Sequence, residues 1–372
     1  MSSITPSNTA KTPALSKRSE KWLTVLLTVL SPLLLIVLLE GIAYLWERNQ
    51  ANSLYAWELV ASRRMVWEVH PTPGAGYTLM KPGSHYKWQN IDVDINSHGL
   101  RGPEPTYAKS SGTYRILNLG DSVVMGWGVR EEDTYGQQLE SLLNEAGSSD
   151  LRFEVINAGV PGWSLENALS FLEEEGLNYD PDLVVLDVTI ANDINGKSAL
   201  LAGNDPKTLR WLSNHTYLWP FLQSQMSWAK ARAQGKDRVD TIDPPTNPAK
   251  YFPLDPQSDR WDERWSTILE INRLATENNA RFALALFPLE FQVLDESYST
   301  LPQELFTVRA AETGIPALDL LPAFQRACKE KPGGACQLED HYLFADVWMH
   351  PSAYGNRLTA KELAGVIEGM LP

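Results

Sequence analysis

Arg115-Ile116-Leu117-Asn118-Leu119-Gly120-Asp121-Ser122 is a short apolar run that stops at a glycine and passes into two small polar residues. A run this short, bounded by a turn signal, reads as a strand buried in a sheet, and the glycine lets the chain turn sharply behind it. The residues that follow repeat a rhythm. Thr134 is placed to cap a helix with Gln137 reaching back, and Tyr135, Leu139, Leu142, Leu143 and Ala146 form its apolar stripe up to Gly147. Phe153-Glu154-Val155-Ile156 reads as a second strand. Ser164 caps a second helix, with Leu165, Leu169 and Leu172 inward and Gly176 near its end. Asp182 to Val188 is a near-continuous apolar run of the kind buried on both faces of a parallel sheet.

After Asn192 the rhythm breaks. Residues 195–257 hold aromatics (Trp211, Trp219, Phe221, Trp228), polar runs and many prolines without a clean period, and read as an insertion that walls or caps a cleft. The alternation then resumes. A helix carries Trp261, Trp265 and Ile268 on one face, Arg281–Phe287 is a fourth strand, Pro302 opens a helix, and Ile315–Asp319 is a fifth strand. A last helix spans about Ser352 to Met370. Strands alternating with helices imply an α/β domain built on a mostly parallel five-stranded sheet covered on both faces, over residues 111–372.

Upstream the chain changes character. Residues 1–21 are polar and basic, with Lys11, Lys17, Arg18 and Lys21 against Glu20. Residues 22–46 are apolar apart from Glu40, with Trp22 at one end and Tyr44 and Trp46 at the other. About 20 apolar residues span a bilayer core of roughly 30 Å, and flanking aromatics suit its two interfaces. Pro32 does not forbid a span. Positive charge ahead of it predicts a cytoplasmic tail, a single-pass transmembrane anchor and an extracytoplasmic remainder. A cleaved signal peptide is the rival reading, with a shorter apolar core and a small-residue cleavage site. Residues 47–110 read as a linker and lead-in, with Ile91–Ile95 as a half-buried strand ending in the turn Asn96-Ser97-His98-Gly99.

The 372 residues carry a net charge of -14, which repels a phosphate backbone and disfavours nucleic acid as a partner. The two cysteines, Cys328 and Cys336, bracket a turn-rich loop. They are a candidate local disulfide in an oxidising compartment, the alternative being two unrelated thiols.

In open parallel sheets ligands sit beyond the carboxyl ends of the strands. Gly120-Asp121-Ser122, Ala158-Gly159 and Asn192-Asp193 follow the first three strands, and His350-Pro351 opens the last helix, so all four reach one rim. Ser122 suits a nucleophile and His350 the base that takes and returns its proton. Asp346 is the nearest acid to orient the imidazole. The amides of Ser122 and Gly159 and the Asn192 side chain are the expected oxyanion donors. Only Gly120 follows strand one, which argues against the glycine-rich turn of a dinucleotide site.

Leu119-Gly120-Asp121-Ser122, Asn157-Ala158-Gly159-Val160-Pro161-Gly162, Asn192-Asp193 and Asp346 to Pro351, in that order, resemble the four blocks of the SGNH (GDSL-type) hydrolase family. Asn96 to Gly102 resembles a lead-in of its membrane-anchored bacterial members. The resemblance covers roughly residues 92–370. It implies a three-layer flavodoxin-like fold, a serine esterase acting on glycan, lipid or small-molecule esters, and no metal or organic cofactor. Two positions depart from the pattern. Ile190 stands where the family has glycine, and Asp346 lies four rather than three residues before His350, which leaves Asp340 or a serine–histidine dyad as alternatives. O-acyl transfer onto an envelope polysaccharide, or a non-catalytic binding domain on the same scaffold, would use the same residues.

Overall fold

The computed structural model describes residues 17–50, 68–69, 76–88, 91–146, 151–194, 212, 216–233, 248–337, 340–345 and 349–371. A long helix, α1 (Lys17–Gln50), comes first and runs through Pro32 without a break. Two small antiparallel pairs follow: β1 (Glu68–Val69) with β2 (Thr78–Leu79), and β3 (His85–Trp88) with β4 (Ile91–Asp94). The domain proper alternates β5 (Thr113–Gly120), α2 (Ser122–Met125), α3 (Tyr135–Glu145), β6 (Arg152–Gly159), α4 (Leu165–Glu174), β7 (Leu183–Thr189) and α5 (Ile190–Asp193). After α6 (Leu218–Ala233) come α7 (Asp259–Glu277), β8 (Arg281–Phe287), α8 (Glu290–Leu294), α9 (Leu301–Thr313), β9 (Ala317–Asp319), α10 (Leu321–Lys329) and α11 (Ala353–Glu368).

The five long-range strands form one parallel sheet in the order β6-β5-β7-β8-β9. The direction of winding reverses between β5 and β7, so the crevice at their carboxyl ends is the natural ligand position of a doubly wound sheet. Every residue of β7 is buried, as its unbroken apolar run requires. Two apolar clusters flank the sheet. One joins α4, α7 and α9, and the other joins α3, α10 and α11. This is the three-layer arrangement that the strand–helix rhythm implies.

The helix caps follow local chemistry. Thr134 Oγ1 accepts the Gln137 amide at 3.4 Å, so the backbone of Gln137 makes this cap. Ser164 and Asn167 form a reciprocal capping box. Ser352 caps α11 through the Gly355 amide. Helix α10 escapes the periodicity reading because its leading Pro322 and brevity disguise the pattern.

The lead-in belongs to the domain's core. Tyr77, Met80, Val93, Ile95 and Leu100 are all buried. The Tyr77 ring meets Trp163 and Phe171 edge-on at 5.9 and 5.5 Å, and Trp163 Nε1 donates to the Thr78 carbonyl at 2.8 Å. Within the 47–110 linker and lead-in, the described apolar residues from Tyr77 onward thus pack into the domain's core. The insertion also differs in its described part. Helix α6 packs along α1 rather than over the sheet's rim, through Tyr44–Tyr217 and Trp46–Phe221 ring contacts. Residues 195–211 lie outside the described residues.

If Tyr77 ties the lead-in to α4, Tyr77→Ala is expected to destabilise the domain by about 3 kcal/mol, the usual cost of truncating a buried aromatic side chain. Urea unfolding of the detergent-solubilised chain, followed by tryptophan fluorescence, checks this. An unchanged midpoint contradicts it.

Candidate active site

Helix α2 begins directly after β5. Its first residue is Ser122, capped by Asp121, whose Oδ1 accepts the Val123 amide at 2.8 Å and the Thr189 hydroxyl at 3.2 Å. The Ser122 amide, at the first helical position, has no intrahelical acceptor and points off the helix's positive end. From the far end of the chain, His350 reaches the same spot. Ser122 Oγ and His350 Nε2 lie 2.8 Å apart, with the two residues 4% and 3% exposed. The structure thus joins two residues separated by 228 positions.

Several side chains hold this pair. Trp127 stacks on the His350 ring, with centroids 5.5 Å apart and planes 25° from parallel. Asn356, buried in α11, accepts the Tyr135 amide at 3.0 Å and donates to the Pro351 carbonyl at 2.8 Å. It therefore locks the helix that follows the histidine to the start of α3. The Phe344–Pro351 bridge and the Ala345 amide, donating to the His350 carbonyl at 2.7 Å, pin the chain on either side of the imidazole.

Arg101 performs the corresponding task for the helix that begins at Ser122. Its guanidinium is buried and donates to the carbonyls of Met125, Gly126 and Val129, at 3.3, 2.6 and 2.9 Å. These carbonyls lie at the negative end of α2 and in the turn after it, where Gly126 adopts a positive φ of 80°. Burial pushes the guanidinium down to about 10, opposed first by Glu131 and then by Asp94, so Arg101 stays charged at neutral pH. The turn it clamps is the one that presents Trp127 to His350. The sequence offered one signal for this, the Asn96–Gly102 lead-in, but no reason why an arginine should stand there. Trp127 and Asn356 had no local signal at all.

The expected oxyanion donors divide. The Gly159 amide donates to Asn157 Oδ1 at 3.1 Å, and its α-carbon lies so close to α2 that an added Cβ would stand 2.2 Å from the Met125 nitrogen. Gly159 is therefore needed for close approach of β6 to the nucleophile helix, and its amide is already engaged. Gly162, two positions beyond Val160 and also buried, turns with φ 77° and its amide has no acceptor among the described residues. Asn192 lies in α5 at the end of β7, with its side chain outside the described residues. Ile190, at the departure from the family pattern, is fully buried in the core. Asp346 also lies outside the described residues. Asp340, the fallback acid, is engaged by the Lys331 ammonium and by the Gln337 and Tyr342 amides. Although burial pushes its carboxyl up, those bonds hold it below the usual range.

Beneath the rim lie further buried carboxylates. Asp193 Oδ2 accepts the Thr189 amide at 2.7 Å, and Asp187 Oδ2 accepts the Tyr135 hydroxyl at 2.7 Å while its Oδ1 has no partner. Burial, with the Asp121 charge nearby, raises both carboxyls well above their ordinary value of 3.8. Cys328 and Cys336 are free thiols. The Cys336 amide donates to the Cys328 carbonyl at 3.1 Å, and burial followed by the neighbouring Cys328 thiol raises the Cys336 thiol. Among the described residues no cluster of His, Cys, Asp and Glu could hold a metal ion.

No family model and no curated protein matches this chain. Solved structures do. A lipolytic protein of the G-D-S-L family from Veillonella parvula is 15% identical, covers 68% of this chain and 98% of its own, and superposes with a TM-score of 0.39. A lipase/acylhydrolase from Enterococcus faecalis is 20% identical over 70% and 97% of the two chains, with a TM-score of 0.39. A catalytic mutant of an acetylxylan esterase from Geobacillus stearothermophilus is 18% identical over 70% and 96%, with a TM-score of 0.42.

Two outcomes follow from the geometry. Arg101→Lys keeps the charge but cannot serve three spread carbonyls, so kcat on a soluble ester is expected to fall about tenfold, the rate equivalent of about 1.4 kcal/mol, while KM changes little. An equal change in KM alone would contradict it. Asp187 holds its proton more tightly folded than unfolded. Its contribution to stability is therefore full below about pH 3.8 and is lost as pH rises through the folded value. Asp187→Asn removes that loss, so its melting temperature should exceed the parent's by a margin that widens between pH 4 and pH 8. A constant margin contradicts the assignment.

Proposed function

We propose that this protein is a serine esterase that hydrolyses carboxylic esters through an acyl-serine intermediate. The observation that carries the proposal is the 2.8 Å contact between a buried serine at a helix start and a buried histidine at the rim of a parallel sheet. In the first step Ser122 Oγ attacks the ester carbonyl while His350 Nε2 takes its proton. The proton then passes to the departing alkoxide. Water repeats the sequence on the acyl-serine, giving the carboxylic acid and restoring both groups. The Ser122 and Gly162 amides, with the Asn192 side chain as the third donor, receive the developing oxyanion. The free Gly162 amide supports its place in this set over Gly159. Asp346, four residues before His350 in sequence, is the acid assigned to orient the imidazole. Stacking of Trp127 restricts the imidazole to the plane this transfer needs.

The same reading sets the domain outside the cytoplasm on a single-pass anchor. The stretch Thr24–Trp46 is the one helix among the described residues long and apolar enough to cross a membrane, and its most apolar window is not buried within the protein. On that side of the membrane the adjacent Cys328 and Cys336 would close as a local disulfide. The substrate is an ester of a small molecule, a glycan or a lipid. The motif resemblance stated from the sequence supports this reading, and the esterases and lipolytic proteins among the structural matches accord with it.

A fluorophosphonate should label the wild-type protein and fail on Ser122→Ala, which should also lose at least a thousandfold in turnover on aryl acetate with an unchanged melting temperature. His350→Ala should be nearly as severe, and Asp346→Asn milder. Retained turnover in Ser122→Ala rejects the proposal. Turnover that appears only when a sugar acceptor is added makes the enzyme an acyltransferase.

A further inference from the structure

Between Thr24 and Trp46 the only side chain charged at neutral pH is Glu40. A carboxylate in the hydrocarbon region is costly, about 2.5–3.5 kcal/mol on insertion scales, unless it is compensated. Here the compensation comes from α6. Glu40 Oε2 accepts the Tyr217 and Leu218 amides, at 2.7 and 3.1 Å, which are the first donors of that helix. The exchange is reciprocal. The helix start has N–H groups with no intrahelical acceptor and a positive dipole end, and a carboxylate satisfies both. Ala43, 1% exposed, lies on the same face of α1 and allows close approach. The Tyr44–Tyr217 and Trp46–Phe221 contacts, with centroids 5.0 and 5.1 Å apart, continue the seam.

Six residues separate Glu40 from the interfacial Trp46, about 9 Å along a helix. An anchor that crosses a bilayer therefore holds the start of α6 inside the outer leaflet. The opposite face of α6 fits such a place. Leu222 and Met226, one turn apart, are 41% and 57% exposed, and Leu45 of α1 is exposed as well. In sequence the helix then runs to Lys230 and Arg232, charges suited to lipid headgroups.

We infer that α6 is a second membrane-embedded element. Its N-terminal half dips into the outer leaflet beside α1, capped by Glu40, with Leu222 and Met226 against the acyl chains of phospholipid. This rests on the reading of α1 as a membrane span. It gives the 195–257 insertion a task, which is to hold the domain close to the bilayer surface.

The test uses the full chain in phospholipid nanodiscs, with Cys328 and Cys336 replaced by serine and single cysteines carrying bimane at Val37, Leu222, Met226 or Val308. Lipid-borne doxyl groups should quench the probes at Val37, Leu222 and Met226 to a similar degree, and aqueous iodide should quench only Val308, on the outer face of α9. In Glu40→Ala the Leu222 probe should lose most of its doxyl quenching and gain iodide quenching, with Glu40→Gln between. Doxyl quenching at Val37 alone, with Leu222 open to iodide, overturns the inference and leaves the anchor standing. A Leu222 probe shielded from both quenchers also overturns it, since protein then covers that face. Absence of doxyl quenching at Val37 removes the anchor itself, and the inference with it.

Discussion

One hydrogen bond, from a hydroxyl at the end of β5 to an imidazole ahead of α11, sets the demands that the rest of the domain meets. Its two ends belong to opposite ends of the domain, so its length is controlled by how α11 sits against α3 and by how α2 sits against β6. The first relation is fixed by Asn356, whose amide group bonds to both the Tyr135 amide and the Pro351 carbonyl. The second is fixed by the absence of a side chain at Gly159, which lets the β6 backbone approach α2 to contact. Neither residue touches the reacting pair, yet each governs its spacing.

The same logic explains the polar groups buried around the site. A guanidinium, several carboxylates and a phenol are expensive to remove from water, and the guanidinium and two of the carboxylates are held where they stabilise a turn or a helix end. Arg101 takes up three carbonyls that the turn after α2 leaves without partners. Asp121 and Asp193 take up amides at the starts of α2 and α5. Asp187 is the costly member, with one oxygen unpaired beside the glycine that precedes the nucleophile.

The long first helix meets a different demand. In water Glu40 would be an unremarkable surface residue. Within the apolar stretch Thr24–Trp46 it has no other charged side chain beside it, and α6 provides donors from the insertion. The α/β domain and α1 are thus joined by more than the chain between them, because a segment that follows the third strand of the sheet returns to the first helix.

What could be read along the chain was whatever neighbouring residues encode together. Alternation and apolar runs located the five strands of the sheet, with the last one shorter than expected, and the positions following strands one to three marked the rim that Ser122 and His350 share. Periodicity works there because burial on a strand or helix face repeats at a fixed interval. Which glycine amide is engaged was not legible in this way, since whether Gly159 or Gly162 finds an acceptor among the described residues depends on the side chain of Asn157 and the approach of α2. The clamp of Arg101, the stacking of Trp127, the tie of Asn356 and the docking of α6 on α1 likewise join residues with no common local pattern. Folding alone brings them into range, because hydrogen bonds and ring contacts act over a few ångströms and leave no period in the sequence.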